Sequence, residues 1–81
     1  MMARVTLLYF ASLRDAAGVG REEVDSQAVD LRALYVETQA RHGFVLPVDR
    51  LRVAVDGEFA RWNEAPLAGS EVAFIPPVSG G

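Results

Sequence analysis

The 81 residues carry a formal net charge of −3, are 51% hydrophobic and 23% charged, and include no cysteine. That is one domain with one thin core: too apolar for disorder, too acidic for a phosphate-binding face, and without disulfides, thiolate metal sites or a thiol nucleophile. No apolar run approaches the roughly 20 residues that span a membrane and no signal peptide is visible, so a cytoplasmic protein is expected, with neither nucleic acid nor membrane as partner.

Residues 4–10 (RVTLLYF) form a compact apolar run rich in β-formers and read as a buried strand. In ASLRDAAG, Ser12 is expected to cap a short helical turn and Gly18 to end it in the left-handed conformation. REEVDS is a charged strand suited to a sheet edge. The clearest helix is DLRALYVETQARHG: Asp30 is the N-cap, Leu31, Leu34, Tyr35 and Thr38 share one face, and Gly43 is the stop. FVLPVD is a loop with apolar anchors. RLRVAVDGEF alternates at Leu51, Val53 and Val55 and then turns at Asp56-Gly57, a strong hairpin signal. A further turn around Ala68-Gly69-Ser70 precedes EVAFI, the last strand. The pattern supports an α+β domain with one small mixed sheet, one long helix packed on one face, and a short helix after the first strand.

No self-sufficient active site is visible. Asp15, Glu22, Glu23, Asp25, Glu37 and Glu58 lack a partner base or metal ligand nearby in sequence and read as a solvated face. His42, the single histidine, sits at a predicted helix C-terminus, where an imidazolium complements the dipole; with no cysteine, no metal site is expected. Ser79 has no His or Lys beside it to activate it. All eight basic residues are arginines, and lysine does not occur.

The informative segment is the end, FIPPVSGG. Residues 1–75 read as the domain and residues 76–81 as an extended tail. Pro76 holds Ile75 extended, and the Pro76-Pro77 step favours a stiff polyproline path. Pro76, Pro77, Val78, Ser79, Gly80 and Gly81 together reach roughly 20 Å if extended, at about 3.3 Å each. Without Cβ atoms, Gly80 and Gly81 suit a channel that rejects any side chain. A terminal carboxyl ordinarily titrates at about 3.3–3.7, so it is an anion at neutral pH and a poor electrophile. Its use as a reactive group calls for adenylation with ATP. No ATP site is visible here, so a partner must activate it and the chain itself binds no cofactor.

Three stretches, LYFASLRDAAG, LRVAVDGE and PLAGSEVAFIPPVSGG, together resemble the small subunits of molybdopterin synthase, the MoaD-type sulfur carriers, across nearly the whole chain. Asp56, where that family often has Asn, and Ser70, where it often has Asp, are the two departures, both at turns. The resemblance implies a ubiquitin-like β-grasp fold and a cycle. An E1-like adenylyltransferase (MoeB-type) would adenylate Gly81, and a sulfurtransferase would supply sulfur to make a thiocarboxylate. The tail would then enter a MoaE-type large subunit, in a heterotetramer, and give its sulfur to cyclic pyranopterin monophosphate. The chain is then a sulfur donor and not an enzyme on its own. Phe74 and Ile75, adjacent and so on opposite faces, are the candidate partner contacts, with Ile75 expected outside and Phe74 in the core. A ThiS-like carrier for thiazole synthesis, or a ubiquitin-like modifier conjugated through Gly81, fits the same tail chemistry.

Overall fold

The computed structural model describes residues 2–77. In chain order the elements are β1 (Ala3–Tyr9), α1 (Ala11–Ala17), β2 (Arg21–Ser26), α2 (Leu31–His42), a 3-10 turn (Val48–Arg50), β3 (Arg52–Val55), β4 (Glu58–Ala60) and β5 (Glu71–Ile75). The strands make one sheet in the order β2-β1-β5-β3-β4. β1 and β5 run parallel at its centre, and every other pairing is antiparallel. This is the β-grasp arrangement that the sequence led us to expect.

The long helix forms for the expected reasons. Asp30 Oδ1 accepts from the Ala33 N–H at 2.8 Å, and Gly43 closes the helix at φ 72° with its N–H donating to Gln39. Leu31, Leu34, Tyr35 and Thr38 are all buried. They meet Val5, Leu7 and Tyr9 of β1, Val53 of β3, and Val72 and Phe74 of β5, with Leu13, Phe44 and Leu51 completing the core. The hairpin is equally local in origin. Asp56 and Gly57 both adopt positive φ, 51° and 87°, which matches the twist of the strands they join. Asp56 also ties that turn to β5, accepting from the Glu71 N–H at 2.9 Å and returning its own N–H to the Glu71 carbonyl.

The first helix departs from expectation. Gly18 ends it at φ 80° as anticipated, but Ser12 is not its cap. The helix starts two residues earlier, with Phe10 at the N-cap position making no side-chain bond, and Ala11 at φ 50°. A chain that leaves β1 and turns at once into a helix has no room for a capping residue, so the reversal is taken up by one left-handed alanine.

β5 divides its side chains between two environments. Val72 and Phe74 are fully buried under α2, while Ile75 lies on the opposite face and is partly exposed. Phe74 is therefore a core residue and is withdrawn as a candidate contact: its ring packs edge-on against Tyr35 at 5.0 Å and stacks with Trp62 at 6.2 Å. Pro76, read as the first residue of a free tail, is buried too, and Pro77 is exposed. Val78, Ser79, Gly80 and Gly81 lie outside the described residues.

Candidate functional site

A sheet with its helix on one face leaves the other face to be explained. Residues directly opposite one another in register share a face, and one row across this sheet reads Leu8, Ala73, Ala54, Phe59. Two alanines in the centre, flanked by a leucine and a phenylalanine, make a low floor between two walls. Ile75 and Phe10 bound the groove at one end, Glu71 and Gly57 at the other, and its volume is about 290 Å³. The groove is small and open, better suited to a few side chains of a docked protein than to an enclosed small molecule. Phe59 is 65% exposed and Phe10 is 45% exposed, so aromatic surface on this face is presented to solvent.

Charge frames the apolar strip. At the Glu71 end, Arg21 pairs with Glu71 at 3.3 Å. Farther along β1 and β2, Arg4 lies between Glu23 at 3.1 Å and Asp25 at 3.3 Å. These pairs are exposed and contribute little stability, but they leave β2 a charged edge that discourages strand addition. At the other end Arg52 sits opposite Ile75, its guanidinium carbon 4.4 Å from the centre of the Phe59 ring. The groove thus ends at Ile75, just where the tail departs.

A second cluster was invisible in the sequence. One carboxylate oxygen of Glu22 accepts from Tyr9 Oη at 2.5 Å and from Arg41 Nη1 at 2.8 Å, and His42 Nε2 lies 2.8 Å from it. Partial burial works against the charge on Glu22, but the bonds from His42, Tyr9 and Arg41 outweigh it and hold the carboxyl down at about 2. Burial, then the bond to Glu22, pushes the Tyr9 hydroxyl well above the usual phenol range. His42 also stacks on Phe44 and meets Tyr9 edge-on. The expectation that Glu22 belongs to a solvated face is corrected: it is half-buried and its partners are distant in sequence. Tyr9 is 13 residues away and His42 is 20, on elements that only the tertiary fold brings together. With one Glu22 oxygen shared among three partners, the cluster clamps β2 to the end of α2. Among the described residues no group of three or more His, Asp or Glu could hold a metal, and no helix is long and apolar enough to cross a membrane.

Residues 7–81 match the family model described as the ThiS family. The chain belongs to that family. It is 35% identical to the molybdopterin synthase sulfur carrier subunit of Mycobacterium tuberculosis, covering 99% of this chain and 100% of the relative. It is 32% identical to the human protein of the same name, over 99% of this chain and 97% of the relative. Among solved structures it is similar to the small archaeal modifier protein 1 of H. volcanii, with a TM-score of 0.80 and 28% identity over 94% of this chain and 99% of that one. The β-grasp fold and the MoaD-type resemblance both stand on these matches. The site residues that sequence reasoning missed, Leu8, Phe10, Ala54, Phe59 and Ala73, become a group only once strand register is known.

Proposed function

We propose that this chain is the sulfur-carrier small subunit of a molybdopterin synthase. The observation that carries the reading is the apolar groove that ends at Ile75, where a partner docked on the sheet lies beside the departing tail. An E1-like partner transfers AMP from ATP to the Gly81 carboxylate, releasing pyrophosphate. The outer sulfur of a persulfide on the sulfurtransferase attacks the acyl carbon and displaces AMP, and a second thiol of the partner then cleaves the S–S bond, leaving a thiocarboxylate here and a disulfide there. The large subunit then takes Ile75 and its neighbours into its contact surface and admits Pro77 to Gly81 into its own active site. There the thiocarboxylate sulfur bonds to a carbon of cyclic pyranopterin monophosphate on the way to the dithiolene of molybdopterin, and water then cleaves the acyl–sulfur bond, so that Gly81 returns as the carboxylate. The chain contributes an acyl group and an address, and the pterin chemistry belongs to its partner.

Two related fates share the adenylate. Similarity to the H. volcanii modifier supports conjugation to amines, and the ThiS family match supports sulfur delivery to a thiazole. Intact mass of the protein from its own cell separates a thiocarboxylate from an isopeptide. Removing Gly81 is expected to abolish sulfur transfer to the pterin while the thermal midpoint stays unchanged. A variant lacking Gly81 that still supports synthase turnover refutes the proposal.

A further inference from the structure

We propose that the outer edge of β2 pairs with the same edge of a second copy of this chain, in one register set by charge. Neither the tail nor its chemistry enters this interface.

The hydrogen-bond directions along β1 decide which groups β2 leaves open. The Tyr9 N–H donates to the Gly20 carbonyl at 3.0 Å. The Thr6 N–H instead donates to the Ser70 carbonyl at 3.0 Å, and the Arg4 carbonyl accepts from Gly69 at 2.8 Å. Odd-numbered β1 residues therefore turn their backbone toward β2, and even-numbered ones toward β5. The register sets Glu22, Val24 and Ser26 opposite odd-numbered residues, so these three bond inward. Arg21, Glu23 and Asp25 turn their N–H and carbonyl groups the other way, and their side chains are exposed. Among the described residues no strand flanks β2 on that side. β4, the opposite edge, is three residues long and offers far less.

An antiparallel second copy can use all of these groups in one way. Glu23 faces its own equivalent on a twofold axis normal to the sheet, and Arg21 lies opposite the second copy's Asp25 at both ends. Those end pairs are opposite in charge and share one face, at Cα spacings of about 5.5 Å. The central Glu23 pair is like-charged, but Arg4 already holds each of these carboxylates at 3.1 Å from the β1 side. With Arg4, Arg21, Glu23 and Asp25 counted from both copies, the seam carries no net charge. Arg21 now reaches Glu71 at 3.3 Å, an exposed pair that costs little to exchange. The neighbouring registers are worse. A slide of two residues one way sets Glu23 against Asp25. The other way, Asp25 meets only Val19, and the partly buried Glu22 carboxylates face each other at the closer spacing of about 4.5 Å. The charges that close this edge to strands in general thus admit one strand, its own.

Such a seam leaves the docking face free. The axis keeps both long helices on one side of a ten-stranded sheet and both grooves on the other. With strands about 4.8 Å apart, the two β5 strands lie roughly 24 Å from one another, so each groove stays open to a partner. A contact this small gives a transient dimer, formed between roughly tens of micromolar and about 1 mM.

Sedimentation equilibrium of the full chain, from about 10 µM to about 1 mM at low salt, reads the dimer constant. The weight-average mass is expected to climb toward twice the monomer value. Arg21→Asp sets like charges opposite each other at both ends of the seam and should weaken the dimer at least about tenfold. Adding Asp25→Arg to that variant restores opposite charges in the same register and should recover the natural constant to within about threefold. A second measurement does not depend on the exchanged charges. Glu23→Cys, in a chain with no other cysteine, should be joined to its own equivalent by a short bismaleimide, whereas Glu58→Cys on β4 should not. A monomer at every concentration, a dimer indifferent to Arg21→Asp, a double variant as weak as the single one, or equal cross-linking at positions 23 and 58 each overturns the assignment.

Discussion

Phe74 and Ile75 are neighbours in the chain with opposite duties, and exchanging their fates is a sharp test of the face assignment. Phe74 is 0% exposed and packed between Tyr35 and Trp62. Truncating a buried phenylalanine to alanine costs about 3–5 kcal/mol. At roughly 0.05–0.15 kcal/mol per residue, a domain of this length has only about 4–12 kcal/mol in total. Phe74→Ala should therefore lower the thermal midpoint by about 12 °C or more, at 4–8 °C per kcal/mol for a domain of this size. Ile75→Asp acts elsewhere. In the free domain the new carboxylate lies on the open face opposite Arg52, and the cost is the loss of strand propensity, about 1 kcal/mol. In a complex on the proposed docking face, the same charge must be desolvated among apolar groups. A penalty of about 3 kcal/mol or more weakens affinity over hundredfold. Thermal or urea melts read the first quantity and titration calorimetry against the large subunit reads the second. If Ile75→Asp unfolds the domain while Phe74→Ala leaves its midpoint within a few degrees, the two faces have been assigned the wrong way round.

Two further outcomes follow from the described contacts. Glu22 is held at about 2 when folded, against an ordinary 4.5, so its bonds stabilise the domain above about pH 5 and that contribution fades as pH falls toward 2. The loss is about 2–3 kcal/mol across that window, and Glu22→Gln should flatten the acid limb of a urea-melt series; an unchanged limb would mean that the cluster adds nothing. Gly57 sits at φ 87° with open space where a Cβ would go, so Gly57→Ala should cost about 1–2 kcal/mol from backbone strain alone. Chemical melts showing no loss would argue that the turn relaxes out of its positive-φ conformation.

Much of the fold was legible because its signals are short-range. Asp30, Gly43 and the Leu31–Leu34–Tyr35–Thr38 face speak for α2 within one or two turns, and Asp56-Gly57 declares a hairpin without reference to anything distant. The start of α1 was misread because Ser12 offers a locally sensible cap, whereas the path out of β1 decides the matter. Glu22 with Tyr9, Arg41 and His42 was missed for a different reason: no local rule brings a β2 residue to the end of α2. The groove falls between these cases. Alternation along EVAFI separates Phe74 from Ile75, but pairing Ala73 with Ala54 needs the register of three strands. Pro76 shows the limit of reading a proline pair as the start of a tail, since its ring is buried.

The alanines themselves argue that the open face is selected for something besides stability. On the core side, the central strands carry Leu7, Tyr9, Val53, Val72 and Phe74, residues that fill volume and favour β-structure. On the other side, at the middle of the same strands, stand Ala54 and Ala73, directly opposite each other. Alanine is a poor strand former and offers little cross-strand contact, so local propensity and local packing both prefer a β-branched residue at each position. Such a residue would also raise the floor between Leu8 and Phe59 and close the groove. A small domain that leaves two central strand positions undersized, beside walls of exposed aromatic surface, gives up contacts of its own in exchange for a concave surface. That concavity runs to Ile75, the last strand residue before the tail. Its placement is what a protein needs if its chain terminus is to be handed, in a fixed orientation, to another molecule's active site.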